Sequence, residues 1–188
     1  MKLLHRIVLA AAGGACAIVI SACSVSGNET YADNLGPGYV KVGQLYYQVQ
    51  IARELNQFGD EDAGYLDGLT KRQLALPPGQ IWFAVFMQAY NTTTKPQRPA
   101  STYYVTDTLG TRFTPLVNPT PNVFTYRPAV IPPKGQLPSI TSLAYSGWTQ
   151  GEVLLFKFPY TTYSSRPLIL HIVNPADPSQ QSRIELDV

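Results

Sequence analysis

The distribution of proline limits the folds open to this chain more than any other feature. All sixteen prolines lie at or after Pro37, and most of them fall between short apolar or alternating runs. Proline lacks a backbone N–H, so it is excluded from central strands and from the interior of helices. No segment shows a long 3.6-residue period either. The spacing therefore predicts many short strands rather than long helices.

Several runs have the length and pattern of strands. "YYQVQIA" (46–52) places Tyr47, Val49 and Ile51 on one face and glutamines on the other, as in a half-buried strand. "IWFAVFMQAY" (81–90) is apolar on both faces, as a central strand would be. The remaining candidates are "STYYVTDT" and "TRFTPLV", which flank a predicted hairpin turn, "EVLLFKF" (152–158), "PLILHIV" (167–173) and "RIELDV" (183–188). Together they predict an all-β fold, an Ig-like antiparallel β-sandwich of about seven to nine strands. A closed barrel is the alternative, because counting strands does not separate the two.

The first 22 residues have the layout of a secretory signal peptide. A basic start containing Lys2 and Arg6 is followed by an uncharged apolar run from Ile7 to Ile20 and then by small residues. That run is shorter than the roughly 20 residues of a membrane-spanning helix, although an uncleaved signal anchor stays open. We expect three parts: a leader at 1–22, a lipidated N-terminus with a flexible tether at 23–43, and a domain at 44–188.

Cys23 is the candidate attachment site. The residues "ISAC" (20–23) resemble the bacterial lipobox, an aliphatic residue and two small ones before a cysteine. The resemblance implies that Cys23 becomes the mature N-terminus, carries acyl chains and anchors the chain to the outside of the cell membrane. Two or three acyl chains are enough for stable anchoring. Ordinary cleavage that leaves a free thiol is the alternative.

Removing the leader changes the charge and the cysteine count. The fourteen Lys and Arg side chains lose Lys2 and Arg6, which leaves twelve against twelve Asp and Glu. A neutral chain with scattered charges gives no electrostatic reason to expect a nucleic-acid partner. Cys16 also goes, so Cys23 is the only mature cysteine and no intramolecular disulfide can form.

A series of fragments, in this order, carries a resemblance to a known family: "YYQVQIARELNQFGDEDAGYLDGL", "LPPGQIWFAVFMQAYN", "YYVTDTLGTRFTPL", "NVFTYRP", "GEVLLFKFP", "RPLILHI" and a final "LDV". The chain resembles the Ig-like domain of actinobacterial lipoproteins, a domain of unknown function, and is similar in type to small secreted immunoglobulin-like antigens of mycobacteria. The resemblance covers residues 44–188 and implies an Ig-like sandwich on the outer face of a membrane. It brings no catalytic residues. No cysteine pair brackets a core tryptophan, although Trp82 lies in the predicted central strand.

The densest acidic cluster is Asp60, Glu61, Asp62 and Asp67. Neighbouring oxygen ligands suit Ca²⁺, but the spacing does not follow the EF-hand pattern. We interpret the cluster as a solvated loop with one short helical turn, in which Asp62 caps a turn that begins near Ala63.

His171 is the only mature histidine, and it shares a strand face with Ile169 and Val173. A packed or edge histidine fits this position better than a metal ligand. One histidine and Met87 do not make a zinc or copper site, so no metal or other cofactor is expected. No Gly-x-Ser-x-Gly elbow is present, and Ser164 has no visible histidine partner other than His171. We therefore assign no catalytic residue and expect no enzyme.

Twelve tyrosines make the chain rich in amphipathic aromatic side chains. One tyrosine of each adjacent pair, at 46–47 and 103–104, should face outward, since neighbours in a strand point to opposite faces. The candidate binding surface consists of Trp148, Tyr160 and Tyr163. Ordinary packing at the rim is the alternative for the tyrosines, and a lid folded onto the core is the alternative for Trp148.

Three functions are compatible with these patterns. The first is a lipid-anchored extracytoplasmic Ig-like module that binds or scaffolds an envelope protein or a cell-wall partner. The second is an envelope hydrolase in which a serine, His171 and a carboxylate meet in space. The third is a carrier of a small apolar ligand, with a cavity lined by side chains such as Phe156 and Trp82.

Overall fold

Two antiparallel sheets face each other in the computed structural model, which describes residues 38–120, 122–186 and 188. Within these residues the strands are β1 (Tyr39–Val42), β2 (Leu45–Leu55), β3 (Gln80–Tyr90), β4 (Tyr103–Thr106), β5 (Arg112–Phe113), β6 (Gln136–Leu137), β7 (Glu152–Pro159), β8 (Leu168–Val173) and β9 (Gln181–Leu186). The helices are α1 (Asp60–Leu66), α2 (Lys71–Leu74), α3 (Leu143–Ser146) and a 3-10 helix at Tyr160–Ser165. The predicted β-sandwich is confirmed, and the barrel is wrong because the strands form two separate sheets.

The larger sheet has the order β1-β2-β3-β6, and β7 also pairs with β3. The smaller sheet has the order β5-β4-β8-β9. The strand pattern of "PLILHIV" and "RIELDV" is confirmed, because Leu170, Ile172 and Ile184 line the space between the sheets. The hairpin between β4 and β5 is confirmed as well, with Val105 opposite Phe113.

β3 is the centre of the molecule, and both of its faces are buried. Its odd-numbered side chains, such as Phe83 and Val85, pack into the core between the sheets. Its even-numbered side chains, such as Trp82 and Phe86, pack into a second core under α1. Burying each large apolar side chain contributes about 1.5–3 kcal/mol, which explains why this apolar run predicted a central strand correctly.

β2 departs from the predicted alternation. The register between β2 and β3 shifts between Val49 and Ile51, which is a β-bulge. A bulge adds one residue to one strand, so the parity of the following side chains is reversed. Ile51 is therefore 43% exposed, and Ala52 faces the core in its place. The expectation that Ile51 points inward is wrong for this reason.

The first described strand lies within the segment predicted as tether. β1 pairs with β2 from Tyr39 opposite Gln48 to Val42 opposite Leu45, and Val40 and Val42 are buried. The β-sandwich therefore includes residues 39–42, which lie before the predicted boundary at 44. Alternating apolar residues over only four positions form too short a pattern to separate a strand from a linker in sequence.

The acidic segment is a helix rather than a solvated loop. Asp62 lies inside α1, is 8% exposed and forms an ion pair with Arg53 of β2. It accepts from Arg53 at 2.6 and 3.0 Å and from the Asn56 backbone N–H at 2.7 Å. The cap of α1 is Gly59, not Asp62. The interpretation of Asp62 as a solvated cap is wrong, because its partner Arg53 is nine positions away on another element.

Gly68 closes the turn after α1, and a side chain there would have no space. Its φ is +85°, and a Cβ at this position would overlap the carbonyl oxygen of Thr120. We expect Gly68→Ala to lower the free energy of unfolding by about 2 kcal/mol more than Gly110→Ala, because overpacking adds to the cost of the left-handed backbone. Gly110 is the matched control, because its φ is +80° and a Cβ there would meet no atom within 4 Å. Equal losses for the two variants in urea unfolding would contradict this account.

Candidate functional site

The three residues of the predicted binding surface lie at opposite ends of β7. Trp148 precedes this strand, and Tyr160 and Tyr163 follow it in the 3-10 helix. Eight strand residues span about 26 Å. The prediction that these side chains form one surface is therefore wrong, although Trp148 and Tyr160 are 95% and 61% exposed. The lid alternative for Trp148 is also wrong, since the ring stands in solvent.

We name the two ends of the sandwich by their position on the chain. The N-terminal pole is the end at which β1 ends and β2 begins, and it comprises residues 42–45, 91–101, 126–151 and the β8–β9 turn at 174–180. The distal pole is the opposite end and comprises residues 54–82 and 160–165. Strand pairing fixes this assignment: Tyr90 of β3 lies level with Tyr46 and Gln136, whereas Gln80 lies level with Pro159.

The N-terminal pole is built from two long loops joined by hydrogen bonds. Asn91 is 1% exposed, and its side-chain amide donates to the carbonyl oxygens of Lys95, Ile131 and Pro132 at 2.8–3.1 Å. Gln97 and Ile131 form an antiparallel bridge. Because the buried amide satisfies carbonyl groups on both loops, residues 91–101 and 126–135 are held as one layer.

Charge is unevenly distributed over this pole. From residue 91 to residue 151 the only acidic residue is Asp107, in the β4–β5 turn outside the pole. The basic side chains of the pole are Lys95, Arg98, Arg127 and Lys134, all exposed. Among the described residues, the salt bridges are those of Arg53 with Glu61 and Asp62. None of the four cations of the pole forms a salt bridge within the described residues, although the Arg127 charge acts on the nearby Glu152 carboxylate.

Large apolar side chains stand beside these cations. Val130, Ile140, Leu143 and Trp148 are 50%, 65%, 60% and 95% exposed. Ile140, Leu143 and Trp148 come from one loop that contains α3, whose Ala144 is fully buried and accepts from the Gly151 N–H at 2.8 Å. The buried face of α3 fixes the loop, so its apolar residues project to the outside on a rigid base.

The distal pole carries two open grooves. The first has a volume of about 350 Å³ and is lined by residues 54–58, Asp62, Leu76 and residues 80–82. The second has a volume of about 500 Å³ and is lined mainly by α1, Leu69 and Leu74. Gln57 and Phe58 border both grooves, and Phe58 is 86% exposed. An exposed phenylalanine between two concave surfaces is typical of a contact site rather than of a core.

Tyr160 and Tyr163 belong to this distal pole. Their rings meet edge to face at 5.8 Å, and the Tyr163 ring lies 6.5 Å from the core residue Phe83. Burial, followed by the nearby Glu54 carboxylate, raises the pKa of Tyr163. Glu54 also lines the first groove. Tyr163 therefore packs partly against the core, whereas the Tyr160 ring is exposed and can contact a partner.

His171 lies on the outer face of the smaller sheet. Its ring stacks on Tyr104 with centroids 4.3 Å apart and an 8° interplanar angle, and its Nε2 lies 2.9 Å from Thr106 Oγ1. Burial, followed by the Arg183 charge, lowers the pKa of His171 to about 4, so the ring is neutral at neutral pH. The predicted packed histidine is confirmed by this geometry.

The cavity expected for an apolar ligand is not formed by Phe156 and Trp82. Phe156 belongs to the core between the sheets, whereas Trp82 belongs to the second core on the other face of β3. Trp82 donates to Gln57 Oε1 at 3.2 Å and lies 4.6 Å from the Lys157 ammonium. Phe156 of β7 pairs with Phe83, the residue next to Trp82 on β3. Paired residues share a face and neighbours in a strand point to opposite faces, so Phe156 and Trp82 lie on opposite sides of the sheet.

One half-buried carboxyl group, that of Glu152, was missed in the sequence. Glu152 has the same parity as Leu154 and Phe156 on β7, which is the signal that could have placed it at the core. Burial raises its pKa to about 7, although the Arg127 backbone N–H donates to Oε2 at 3.2 Å. Nearby, the hydroxyls of Tyr103 and Tyr126 donate to the Ala100 carbonyl at 2.9 and 2.8 Å. These groups complete the polar edge of the core.

The described residues contain no helix that is long and apolar enough to cross a bilayer. Within the same residues, no three His, Cys, Asp or Glu side chains are grouped as they would be to hold a metal ion. Cys23 lies outside the described residues, and lipid attachment there stays a prediction.

Comparison with known proteins gives likenesses of fold alone. No family model matches the chain, and no curated protein matches it. Three solved structures are similar. The YjhA protein of Bacillus subtilis has 8% identity and a TM-score of 0.46, over 79% of this chain and 96% of that one. YcdA of Bacillus subtilis, provisionally classed as a lipoprotein, has 10% identity and a TM-score of 0.49 over 80% of this chain, which spans 39% of its length. An uncharacterized β-sandwich protein of Clostridium difficile 630 has 13% identity and a TM-score of 0.43, over 79% of this chain and 89% of that one.

Proposed function

We propose that this chain is a lipid-anchored, extracytoplasmic β-sandwich module of the bacterial cell envelope that works by binding rather than by catalysis. Cys23 is the attachment residue in this proposal, because "ISAC" follows a basic and apolar leader. The distal pole is the recognition surface. Its partner is an envelope protein or a cell-wall polymer, as expected for a domain tethered outside the membrane.

The observation that carries the proposal is the position of two exposed aromatic residues. Phe58 and Tyr160, 86% and 61% exposed, stand at the pole opposite to the β1–β2 turn. The chain enters the domain at Tyr39, which lies level with Gln88, about 26 Å along β3 from Gln80, so the tether joins the domain away from these rings. Aromatic side chains in or beside concave surfaces supply most of the binding energy at protein interfaces.

The surroundings of His171 do not favour the hydrolase. Its ring contacts Tyr104 and Thr106, and it lies on a sheet face rather than in a groove. A neutral, stacked imidazole with a threonine partner stabilises the outer face of the sheet. Catalysis by a serine triad would need a serine on one ring nitrogen and a carboxylate on the other.

Site-specific photo-cross-linking in intact cells tests the proposal. A photoreactive residue at position 58 or 160 should give the same light-dependent adduct, identified by mass spectrometry as protein or glycan. Gln50 is the matched control, because it is exposed in the middle of β2 and remote from both poles. Tyr160→Ala should reduce the adduct formed at position 58 several-fold, since both rings would share one partner. Equal adducts at all three positions would contradict a distal recognition surface.

A further inference from the structure

The N-terminal pole combines three properties that the proposed distal recognition surface does not use. It carries the exposed cations Lys95, Arg98, Arg127 and Lys134 against one acidic residue, Asp177 of the β8–β9 turn. It presents exposed apolar residues on a rigid loop, with Trp148 at 95% exposure. It also lies near the first residue of β1, because Tyr39 is level with Gln88, two residues short of this end of β3. We propose that this pole rests on an anionic lipid bilayer, the membrane that carries the Cys23 anchor.

The position of the first strand supports this orientation. Tyr39, the first residue of β1, meets Tyr90 edge to face at 5.5 Å. Burial, followed by the neighbouring hydroxyls of Tyr39 and Tyr145, raises the pKa of Tyr90. Tyr145 belongs to α3, so the chain enters the domain beside the loop that carries Leu143 and Trp148. Because β1 runs towards this pole, an anchor N-terminal to Tyr39 reaches the apolar residues when the tether turns back over about two strand residues, roughly 7 Å.

The segment between Cys23 and Tyr39 is long enough for either pole to face the membrane, so charge decides the orientation. Sixteen peptide steps from Cys23 to Tyr39 span at most about 55 Å, whereas the eleven residues of β2 span about 36 Å. Either pole could therefore reach the bilayer. The exposed acids at the distal pole, Glu54, Asp60, Glu61 and Asp67, outnumber its exposed cations, Lys71 and Arg72, so this pole would be repelled by an anionic surface. The cations of the N-terminal pole would be attracted to it.

The exposed residues suit the interface between lipid and water. Tryptophan prefers the level of the headgroups, because its ring is apolar and its N–H is polar. Ile140, Leu143 and Trp148 can enter this layer while the four cations contact lipid phosphates. Basic residues near an anionic surface contribute about fivefold each to partitioning. This orientation rests on the proposed lipid anchor, and it leaves the distal grooves facing away from the membrane.

Trp148 fluorescence tests the orientation. The mature protein, purified from envelope membranes in detergent, is reconstituted into vesicles of phosphatidylcholine alone or of equal parts phosphatidylcholine and phosphatidylglycerol. On the anionic vesicles we expect Trp148 emission to move to shorter wavelength and to be quenched by brominated lipid. Trp148→Phe assigns the signal, because the second tryptophan, Trp82, is 1% exposed and buried in the protein. On the neutral vesicles Trp148 should stay accessible to acrylamide.

Charge variants sharpen the test. Arg98→Gln with Arg127→Gln should lower the ratio of lipid-contacting to free Trp148 by roughly 25-fold, since each cation contributes about fivefold. Lys71→Gln with Arg72→Gln is the matched control, since it removes two exposed cations from the distal pole and should leave the ratio unchanged. High salt should act like the first pair of substitutions.

Three results would overturn the orientation. The first is Trp148 emission that is the same on both vesicles and fully accessible to acrylamide. The second is an equal response to the two charge pairs. The third is Trp148 that is accessible on vesicles but protected in native envelopes by a cross-linked protein, which would make this pole a protein interface. Failure of the anchor itself is seen separately, as the absence of acyl mass on Cys23.

Discussion

Asp62→Ala should destabilise the domain more than any other exchange in the acidic segment, by about 3 kcal/mol. The substitution leaves the Arg53 guanidinium without its bidentate partner, with contacts of 2.6 and 3.0 Å. It also leaves the Asn56 N–H without its acceptor. The expected loss is at the lower end for a buried pair, because 28% of the Arg53 side chain stays exposed. Chemical denaturation at neutral pH measures it.

Asp60→Ala is the matched control, because Asp60 lies in the same helix turn and is exposed. It should change the free energy of unfolding by less than about 0.5 kcal/mol. A double exchange of Arg53→Met and Asp62→Leu should recover much of the loss, because no unpaired charge stays buried. If Asp62→Ala costs no more than Asp60→Ala, the ion pair is not structural.

The effect of Asp62 depends on pH. Burial alone would raise its pKa, but the hydrogen bond from Arg53 and that from the Asn56 N–H outweigh burial and lower it. A carboxyl group with a lowered folded-state pKa stabilises the fold above its unfolded-state pKa, near 4. This stabilisation is lost as the pH falls through the lower folded-state pKa. The difference between wild type and Asp62→Ala should therefore shrink in strong acid, and a pH-independent difference would contradict the pair.

Cys23→Ala should abolish acylation completely. The sulfur of the lipobox cysteine forms the thioether to the lipid, and its amino group becomes the new N-terminus. Removing this cysteine should therefore also leave the leader of residues 1–22 attached. Metabolic labelling with a fatty acid should show no label on the variant. Mass spectrometry should show a chain longer by the leader.

Ser21→Thr provides a milder control for the same segment, because it keeps the cysteine and a small polar neighbour. It should retain acyl labelling. Globomycin, which blocks the lipoprotein signal peptidase, should make the wild-type chain accumulate with its leader. Acyl label that persists on Cys23→Ala would end the proposal of an anchor at this residue.

Local patterns were sufficient for most of the strands. The apolar run in β3 and the alternation in β7 and β9 are properties of a few consecutive residues, and each predicts the observed burial. β2 shows where this reasoning stops. The bulge after Val49 reverses which face the following side chains of β2 occupy. It arises from the pairing of β2 with β3, and no single residue in β2 predicts it.

The candidate site was predictable only in part. Exposure of Trp148 and Tyr160 agrees with their place in loops rich in glycine or following proline. Their separation could not be predicted, because it depends on the eight-residue strand between them being extended. Asp62 was misinterpreted for a related reason: its environment is set by Arg53, which is brought to it by the packing of α1 on β2.

The sequence by itself determined the class of fold, the central strand and the candidate anchor at Cys23. These depend on short-range signals, namely proline spacing, side-chain parity and the order of basic, apolar and small residues in the leader. Only the tertiary structure decided which loops share a pole. Residues 91–101 and 126–151 are separated by β4 and β5, and they meet because antiparallel pairing returns the chain to the same end of β3. The collection of four cations and exposed apolar residues at the end of β3 is therefore a product of strand pairing, which no local pattern encodes.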